Sequence, residues 1–178
     1  MRVISGSARG KKLVSLEGMN TRPTLDRVKE ALFNIIQFDI ADKTVLDLFA
    51  GSGAIGIEAI SRGAKSVTFC DNSIDAIKAI KTNIENTKTS NKATVLNKDY
   101  MQALKYLAKN NIQFDIIYLD PPYKTEFANI AIKEIINLNL LSKDGIIIVE
   151  TDDAKKEKIE IFDKRKYGRA ILIFIRKE

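Results

Sequence analysis

Hydrophobic residues recur in two alternating patterns between residues 44 and 150 of this 178-residue chain. Short apolar runs are typical of buried strands, whereas longer segments with an apolar residue at every third or fourth position are typical of helices. The predicted strands are 44–49, 66–70, 93–97, 114–119 and 145–150. The predicted helices between them are 54–62, 73–87, 100–110 and 126–137.

This alternation predicts the fold class. Neighbouring strands joined by helices run parallel, because each helix carries the chain back across the sheet before the next strand begins. We therefore expect a doubly wound, Rossmann-like α/β fold with helices on both faces. The final segments, 158–166 and 169–177, flank Tyr167-Gly168 and leave no room for a helix. They predict a hairpin that closes a seven-stranded, mostly parallel sheet with an antiparallel strand.

The N-terminal part of the chain has a different pattern. Residues 2–5 and 12–14 predict a small hairpin around a basic turn. A helix should follow, capped by Thr24 and continuing to about Gln37. No repeat or linker divides the sequence, so we expect one domain over residues 1–178, in which residues 1–40 form an extension packed on a core of residues 41–178.

The charge distribution indicates a polyanionic partner. The net charge is +6, and the first 30 residues hold seven basic residues against three acidic ones. A basic segment of this kind suits nucleic acid. No apolar run reaches the roughly 18 residues of a membrane span, so we expect a cytoplasmic protein.

The absence of histidine narrows the chemistry. It excludes a histidine base, a histidine-containing triad and a histidine metal site, and this argues against a hydrolase. The single cysteine, Cys70, lies in an apolar run and is expected to be buried. It cannot form a disulfide within the chain.

A glycine-rich turn follows the first predicted strand of the sheet. Gly51, Gly53 and Gly56 have the G-x-G-x-x-G spacing, which lets the backbone turn sharply and approach a nucleotide cofactor closely. The same spacing serves NAD and FAD. Asp47 lies inside the preceding apolar run, where a carboxylate suits a ligand that carries a positive charge.

Acidic residues also follow the next two predicted strands. Asp71 and Asn72 follow the second strand, and Asp99 and Tyr100 follow the third. The carboxyl ends of parallel strands share one edge, where ligands bind in α/β sheets. Asp71 lies twenty residues beyond Gly51, a spacing that places an acid on ribose hydroxyls, although it could simply cap the next helix. Asp99 could accept from an adenine amino group or only cap its helix.

The candidate chemistry is Asp120-Pro121-Pro122-Tyr123, after the fourth strand. Proline fixes φ and keeps the residue before it extended, so the Asp120 carboxylate and the Pro121 carbonyl can be aimed at one point. Two such acceptors would hold both hydrogens of an exocyclic NH2 and direct its lone pair toward an electrophile. Tyr123 can stack on the base. The alternative is a rigid turn with an incidental acid and aromatic.

Three features together fit S-adenosylmethionine better than a nicotinamide. They are Asp47 beside the glycine turn, Asp71 at the ribose position, and the Asp120 carboxylate with the Pro121 carbonyl, here called the clamp. Residues 47–56 and 120–123 resemble the class I methyltransferase fold with its amino-methyltransferase signature. The chain as a whole resembles the RsmD family of bacterial 16S rRNA (guanine-N2)-methyltransferases. The segments that carry this closer resemblance are 9–13, 21–24, 26–30, 32–34 and 167–168.

The resemblance implies a role for each candidate residue. Asp71 would bind the ribose and Asp99 the adenine, with Asn72 and Tyr100 in the same cofactor site. Asp120 and the Pro121 carbonyl would grip the guanine N2 amine, with Pro122 stiffening the turn and Tyr123 stacking the extruded base. Methyl transfer would be a direct displacement that needs no metal. The methionine end of the cofactor would be held by Asp47, Phe49, Ala50, Gly51, Ser52 and Gly53.

The resemblance also implies 16S rRNA as the partner, within an assembled or assembling small ribosomal subunit, and we expect a monomer. Arg22 and Thr24 would either contact the RNA or close over the cofactor. The residues expected at the RNA are Arg9, Lys11, Lys12, Arg22, Thr24, Arg27 and Lys124.

Three other functions fit part of this pattern. An adenine-N6 or cytosine-N4 DNA methyltransferase would use the same clamp, but the chain has no segment of the size that a DNA target-recognition domain needs. A ribosome-assembly factor could keep the fold without catalysis, although the intact clamp argues against this. An NAD-dependent oxidoreductase is disfavoured by Asp47 and by the two prolines.

Overall fold

The computed structural model describes residues 1–16, 23–122, 126–152 and 163–176. Its helices are α1 (Pro23–Ile35), α2 (Ala54–Ser61), α3 (Ile74–Thr87), α4 (Tyr100–Lys109) and α5 (Phe127–Asn137), with a short 3₁₀ turn at Ser90–Lys92. Its strands are β1 (Thr44–Asp47), β2 (Ser66–Asp71), β3 (Ala93–Asn97), β4 (Phe114–Leu119), β5 (Leu141–Thr151), β6 (Asp163–Tyr167) and β7 (Ala170–Arg176). None of these helices is long and apolar enough to cross a bilayer.

The strands form one seven-stranded sheet in the order β3-β2-β1-β4-β5-β7-β6. The first five strands in this order pair in parallel, and β7 runs antiparallel to both β5 and β6. The predicted fold class is therefore confirmed, including the antiparallel hairpin at the end of the chain. The direction of the strand order reverses between β1 and β4, which is where doubly wound sheets bind their ligands.

Two hydrophobic cores cover the two faces of the sheet. Side chains alternate along each strand, so Ile116 and Tyr118 of β4 face one core while Ile117 and Leu119 face the other. Helices α1, α2 and α3 and the N-terminal segment cover the first face, and α4 and α5 cover the second. Cys70 is buried in β2, as predicted.

The N-terminal segment (residues 1–16) is a small hairpin that is also fastened to helix α2. Its two antiparallel arms are joined by the bridge between Arg2 and Lys12 and by backbone hydrogen bonds, such as the one that Leu13 donates to the carbonyl of Met1. The predicted hairpin is therefore present, although its arms form a bridge and not two regular strands. The amide of Ala8 donates to the hydroxyl of Ser61 at 2.9 Å. Gly6 has φ +83°, and a Cβ there would lie 1.8 Å from the Ser61 carbonyl oxygen, so this contact requires glycine.

Several element boundaries differ from those predicted. Helix α1 begins at Pro23, which suits the first helical position because its missing N–H needs no partner. Thr24 therefore lies inside the first turn, and the prediction that it caps the helix is wrong. Strand β5 begins four residues earlier than predicted, because its pairing with β4 shifts register between Phe114 and Ile116. Residues 158–162 of the predicted hairpin lie outside the described residues.

Candidate active site

A cavity of about 550 Å³ opens at the carboxyl edge of the parallel strands. It is bordered by residues that follow β1, β2, β3 and β4 and by the end of β5. Most of the predicted cofactor and clamp residues lie around it. Those lining the cavity are Asp47, Phe49, Ala50, Gly51, Ser52, Asp71, Asn72, Asp99, Tyr100, Asp120, Pro121 and Pro122.

The remaining predicted residues lie elsewhere. Gly53 is the N-cap of α2, just beyond the cavity lining. Tyr123, Lys124 and Arg22 fall outside the described residues, and only the backbone of Thr24 is described.

The glycine turn after β1 is held by Asp71. Gly51 and Gly53 have φ values of +54° and +79°, a region that glycine occupies without strain. The amide of Gly51 donates to one carboxylate oxygen of Asp71 at 2.9 Å, and the amide of Ser73 donates to the other at 2.9 Å. Ser73, rather than Asp71, is the N-cap of α3, because its hydroxyl accepts from the amide of Ala76. The Asp71 carboxylate thus joins two loops at the cavity wall.

Gly56, the third glycine of the motif, serves packing. A Cβ on Gly56 would lie 2.2 Å from the ring of Phe69, which is fully buried in β2. Helix α2 can therefore approach the sheet closely only if this residue is glycine. The backbone amide of Gly56 also donates to the Asp47 carboxylate at 3.1 Å, so the start of helix α2 orients that acid.

Asp47 is a buried acid on the cavity wall. Burial raises the pKa of its carboxyl to about 7, and the negative charge of Asp71 adds to the rise, while the hydrogen bond from Gly56 opposes it. A buried carboxylate is stabilised when a positively charged ligand lies beside it. Next to it, a Cβ on Gly51 would meet no atom within 4 Å, so the backbone there is open to a ligand. These residues fit the cationic methionine end of S-adenosylmethionine.

Three aromatic rings line one part of the cavity. The ring centroids of Phe49 and Tyr100 lie 5.4 Å apart, and those of Tyr100 and Phe127 lie 5.3 Å apart. Asp99 caps α4, because one of its carboxylate oxygens accepts from the amide of Met101 at 2.9 Å. The structure thus shows the capping role considered for Asp99, and the residue also lines the cavity. Such an apolar wall beside an acid fits the adenine end of the cofactor.

The clamp residue Asp120 directly follows β4. Burial raises the pKa of its carboxyl well above the usual range, and the negative charges of Glu150 and Asp47 raise it further. Pro121 is buried and Pro122 is exposed. The switch point between β1 and β4 brings the clamp and the glycine turn to one cavity, as the sequence predicted.

Sequence reasoning missed several residues of the cavity. Lys29 of α1 is only 2% exposed, because it pairs with the buried Glu58 of α2 at 3.4 Å. No local pattern indicates such a pair. Glu150 could have been found from the sequence, because it is the last residue of a predicted strand. Asp71 and Asp120 were found in the same way, since each follows the end of a predicted strand by one residue. The missed lining residues are Met1, Leu16, Lys29, Leu48, Ala54, Ile55, Ser73, Ala76, Lys98, Tyr118, Phe127 and Glu150.

The predicted RNA-binding residues that are described lie on the surface. Arg9, Lys11 and Lys12, here called the basic cluster, are exposed, as is Arg27 on α1. The segment that carries the basic cluster also contributes Met1 and Leu16 to the cavity. The exposed cations therefore belong to a segment that borders the candidate active site.

A parallel sheet with β7 inserted in reverse beside β5, and a cofactor cradle after β1, is the architecture of class I methyltransferases that use S-adenosylmethionine. Within this class the chain belongs to the RsmD family. Residues 1–176 match the family model, which carries the description "Conserved hypothetical protein 95".

Similar proteins cover nearly the whole chain. The protein named Ribosomal RNA small subunit methyltransferase D from Haemophilus influenzae is 40% identical over 156 residues, which span 87% of this chain and 80% of that protein. The protein of the same name from Escherichia coli K12 is 34% identical over 152 residues, or 85% of this chain and 75% of that protein. The solved structure of yhhF, a candidate methyltransferase from Escherichia coli, has a TM-score of 0.85 at 30% identity and covers 98% of this chain and 96% of its own.

Proposed function

We propose that this protein transfers a methyl group from S-adenosylmethionine to the exocyclic N2 amine of a guanine in 16S rRNA of the small ribosomal subunit. The observation that carries the proposal is the Asp120-Pro121 turn, which lines the same cavity as the glycine turn after β1. The names of the RsmD relatives support a small-subunit rRNA substrate.

The strand order assigns the residues of the cavity to two halves. The cofactor residues follow β1, β2 and β3, which lie on one side of the switch point. Asp120 follows β4, on the other side. The acceptor base would therefore enter from the β4–β5 side and meet the cofactor at Asp120. Holding two reactants in this alignment supplies most of the acceleration in such a reaction.

The clamp orients the acceptor amine. The Asp120 carboxylate and the Pro121 carbonyl would each accept one N2 hydrogen, so that the nitrogen lone pair points toward the cofactor half. When bound, S-adenosylmethionine supplies an electrophilic methyl group on a sulfonium. The amine would lose a proton as it becomes methylated, and the Asp120 carboxylate, which would already accept a hydrogen bond from that amine, would be the acceptor. Tyr123 would stack on the base.

The N-terminal segment would hold the RNA. The basic cluster and Arg27 are exposed, and Arg22, Thr24 and Lys124 are assigned to the RNA from the sequence alone. Cations of this kind hold phosphates and position the nucleic acid without reading its sequence. A guanine inside folded RNA must leave its stack to reach the cavity. We propose that residues 1–40 act as this RNA-contacting extension of a single methyltransferase domain.

The proposal includes the setting of the reaction. The acceptor would be an assembled or assembling small subunit, modified in the cytoplasm by a monomer of this protein. The subunit would present the target guanine on its surface, where the basic cluster can reach the neighbouring phosphates.

The test is methyl transfer from labelled S-adenosylmethionine to unmethylated small subunits, to naked rRNA and to duplex DNA. Label should enter the rRNA as N2-methylguanine. Asp120→Ala should lower kcat by about 100-fold or more while cofactor affinity changes by less than about threefold, because only the alignment of the amine is lost. The matched control is Asp144→Ala, an exposed acid of β5 that does not line the cavity, which should keep its activity. Label in DNA, or an active Asp120→Ala variant, would contradict the proposal.

A further inference from the structure

Glu150 is a buried carboxylate in the active-site cavity to which the mechanism above gives no role. It lies near the end of β5, is 5% exposed and lines the cavity beside Asp120. The hydroxyl of Tyr118 donates a hydrogen bond to its Oε2. None of the ion pairs between described residues involves Glu150. A buried carboxylate of this kind needs a hydrogen-bond partner to offset its burial.

The strand register places Glu150 on the acceptor side. Asp47 pairs with Tyr118, and Tyr118 pairs with Ile148, so these three side chains share one face of the sheet. Asp120 and Glu150 each lie two residues further along their strands and keep that face. All the cofactor residues lie toward β1, β2 and β3, whereas Glu150 on β5 lies on the opposite side of Asp120. Its free oxygen therefore borders the place that the acceptor base would occupy.

The edge of guanine carries one more donor than the clamp can satisfy. The N2 amine presents two hydrogens, which Asp120 and the Pro121 carbonyl would accept, and the neighbouring ring nitrogen N1 presents a third. Once the base is buried, an N1–H without an acceptor would weaken binding substantially. Adenine differs at this point, because the N1 beside its amine is an acceptor and would face a carboxylate unfavourably.

We propose that Glu150, oriented by Tyr118, accepts the N1–H of the target guanine and thereby makes the site specific for guanine. The inference rests on the proposed function. Tyr118 occupies Oε2 and leaves Oε1 for the base. Burial raises the pKa of Glu150, and the hydrogen bond from Tyr118 opposes that rise. The N1–H of a bound guanine would be a second donor to the carboxylate and would favour its charged form, which can only accept. Specificity here arises from an acceptor that suits one base and repels another.

The test exchanges the acceptor for a donor. In Glu150→Gln the hydroxyl of Tyr118 would hold the amide oxygen and leave the NH2 group facing the base. The acceptors are reconstituted small subunits whose rRNA carries either guanine or 2-aminopurine at the modified position. 2-Aminopurine keeps the N2 amine but has a bare N1. The wild-type protein should strongly prefer guanine. Glu150→Gln should lose about 10- to 100-fold in kcat/KM on guanine and gain on 2-aminopurine.

Two controls separate this role from a structural one. Glu85→Gln, an exposed position on α3, should keep the wild-type preference for guanine. Tyr118→Phe retains the Glu150 carboxylate but not its orientation, so it should reduce activity on guanine without improving activity on 2-aminopurine. An unchanged ratio between the two acceptors in Glu150→Gln would overturn the inference while leaving the proposed function intact. A wild-type protein with no activity on guanine would instead overturn the proposed function.

Discussion

Glu58 holds the N-terminal segment to helix α2, and its replacement by alanine should loosen both the fold and the active site. Its carboxylate is fully buried and accepts from the amides of Ile4 at 2.8 Å and Ser5 at 3.0 Å. It also accepts from the guanidinium of Arg62 at 2.8 Å and pairs with the ammonium of Lys29 at 3.4 Å. All four donors lose this acceptor in Glu58→Ala, and Lys29 keeps only its hydrogen bond to the carbonyl of Arg2.

The magnitude is set mainly by Lys29. Burial lowers the pKa of its ammonium, and the charge of Glu58 opposes that effect, so without Glu58 a buried positive charge has lost its partner. Removing one member of a buried pair typically costs about 3–5 kcal/mol. A chain of this size loses about 2–4 °C in Tm for each kcal/mol, so Glu58→Ala should melt about 6–20 °C below the wild type.

Thermal unfolding followed by circular dichroism measures this change. Glu85→Ala, on the exposed face of α3, is the matched control and should change stability by less than about 0.5 kcal/mol. Lys29→Met should recover part of the loss when combined with Glu58→Ala, because it removes the unpaired charge. A fall in Tm of less than about 2 °C in Glu58→Ala would refute the reasoning about the buried pair.

Two further predictions concern the ligands. Because the pKa of Asp47 is raised to about 7, the cofactor-free protein binds more protons than its unfolded chain between about pH 4 and pH 7, and its stability should fall as the pH rises through that range. Asp47→Asn should therefore stabilise the cofactor-free protein by up to about 4 kcal/mol at pH 8 but not at pH 4, and it should weaken cofactor binding. Denaturant unfolding measures the gain in stability, and an equal gain at both pH values would contradict the prediction. Replacing the basic cluster with glutamine should reduce the slope of log K for RNA against log salt by about 2, whereas Lys105→Gln with Lys109→Gln, on α4 across the sheet, should leave the slope unchanged.

The sequence was sufficient for the fold because the hydrophobic pattern of each element agrees with its burial. The run 114–119 became β4 without change, and its alternate residues supply both cores. The placement of the glycine turn and of the Asp120-Pro121 turn at one cavity was also predictable, because parallel strands bring their carboxyl ends to one edge. Strand β5 was extended beyond its predicted start by a register irregularity that includes the polar residues 142–144. These polar residues interrupt the apolar pattern, so the pattern predicted a later start for the strand.

The contacts that fasten the N-terminal segment could not be predicted, because they join residues far apart in the chain. Asn83 of α3 bonds both to the backbone of Val14 and to the carbonyl of Ser52 in the glycine turn, at 2.7–3.0 Å. Asn83 and Glu58 look in the sequence like the polar face of amphipathic helices. Their burial depends on a segment that packs over them, and local periodicity carries no information about that segment.

The central claim is that Asp120 presents a guanine amine to the cofactor. The most direct measurement is nucleoside analysis of small-subunit rRNA from cells that lack this protein, complemented with either the wild type or Asp120→Ala. We predict that one N2-methylguanine is missing without the protein, returns with the wild type and stays missing with Asp120→Ala. An N2-methylguanine content that is the same in all three cell lines would contradict the account.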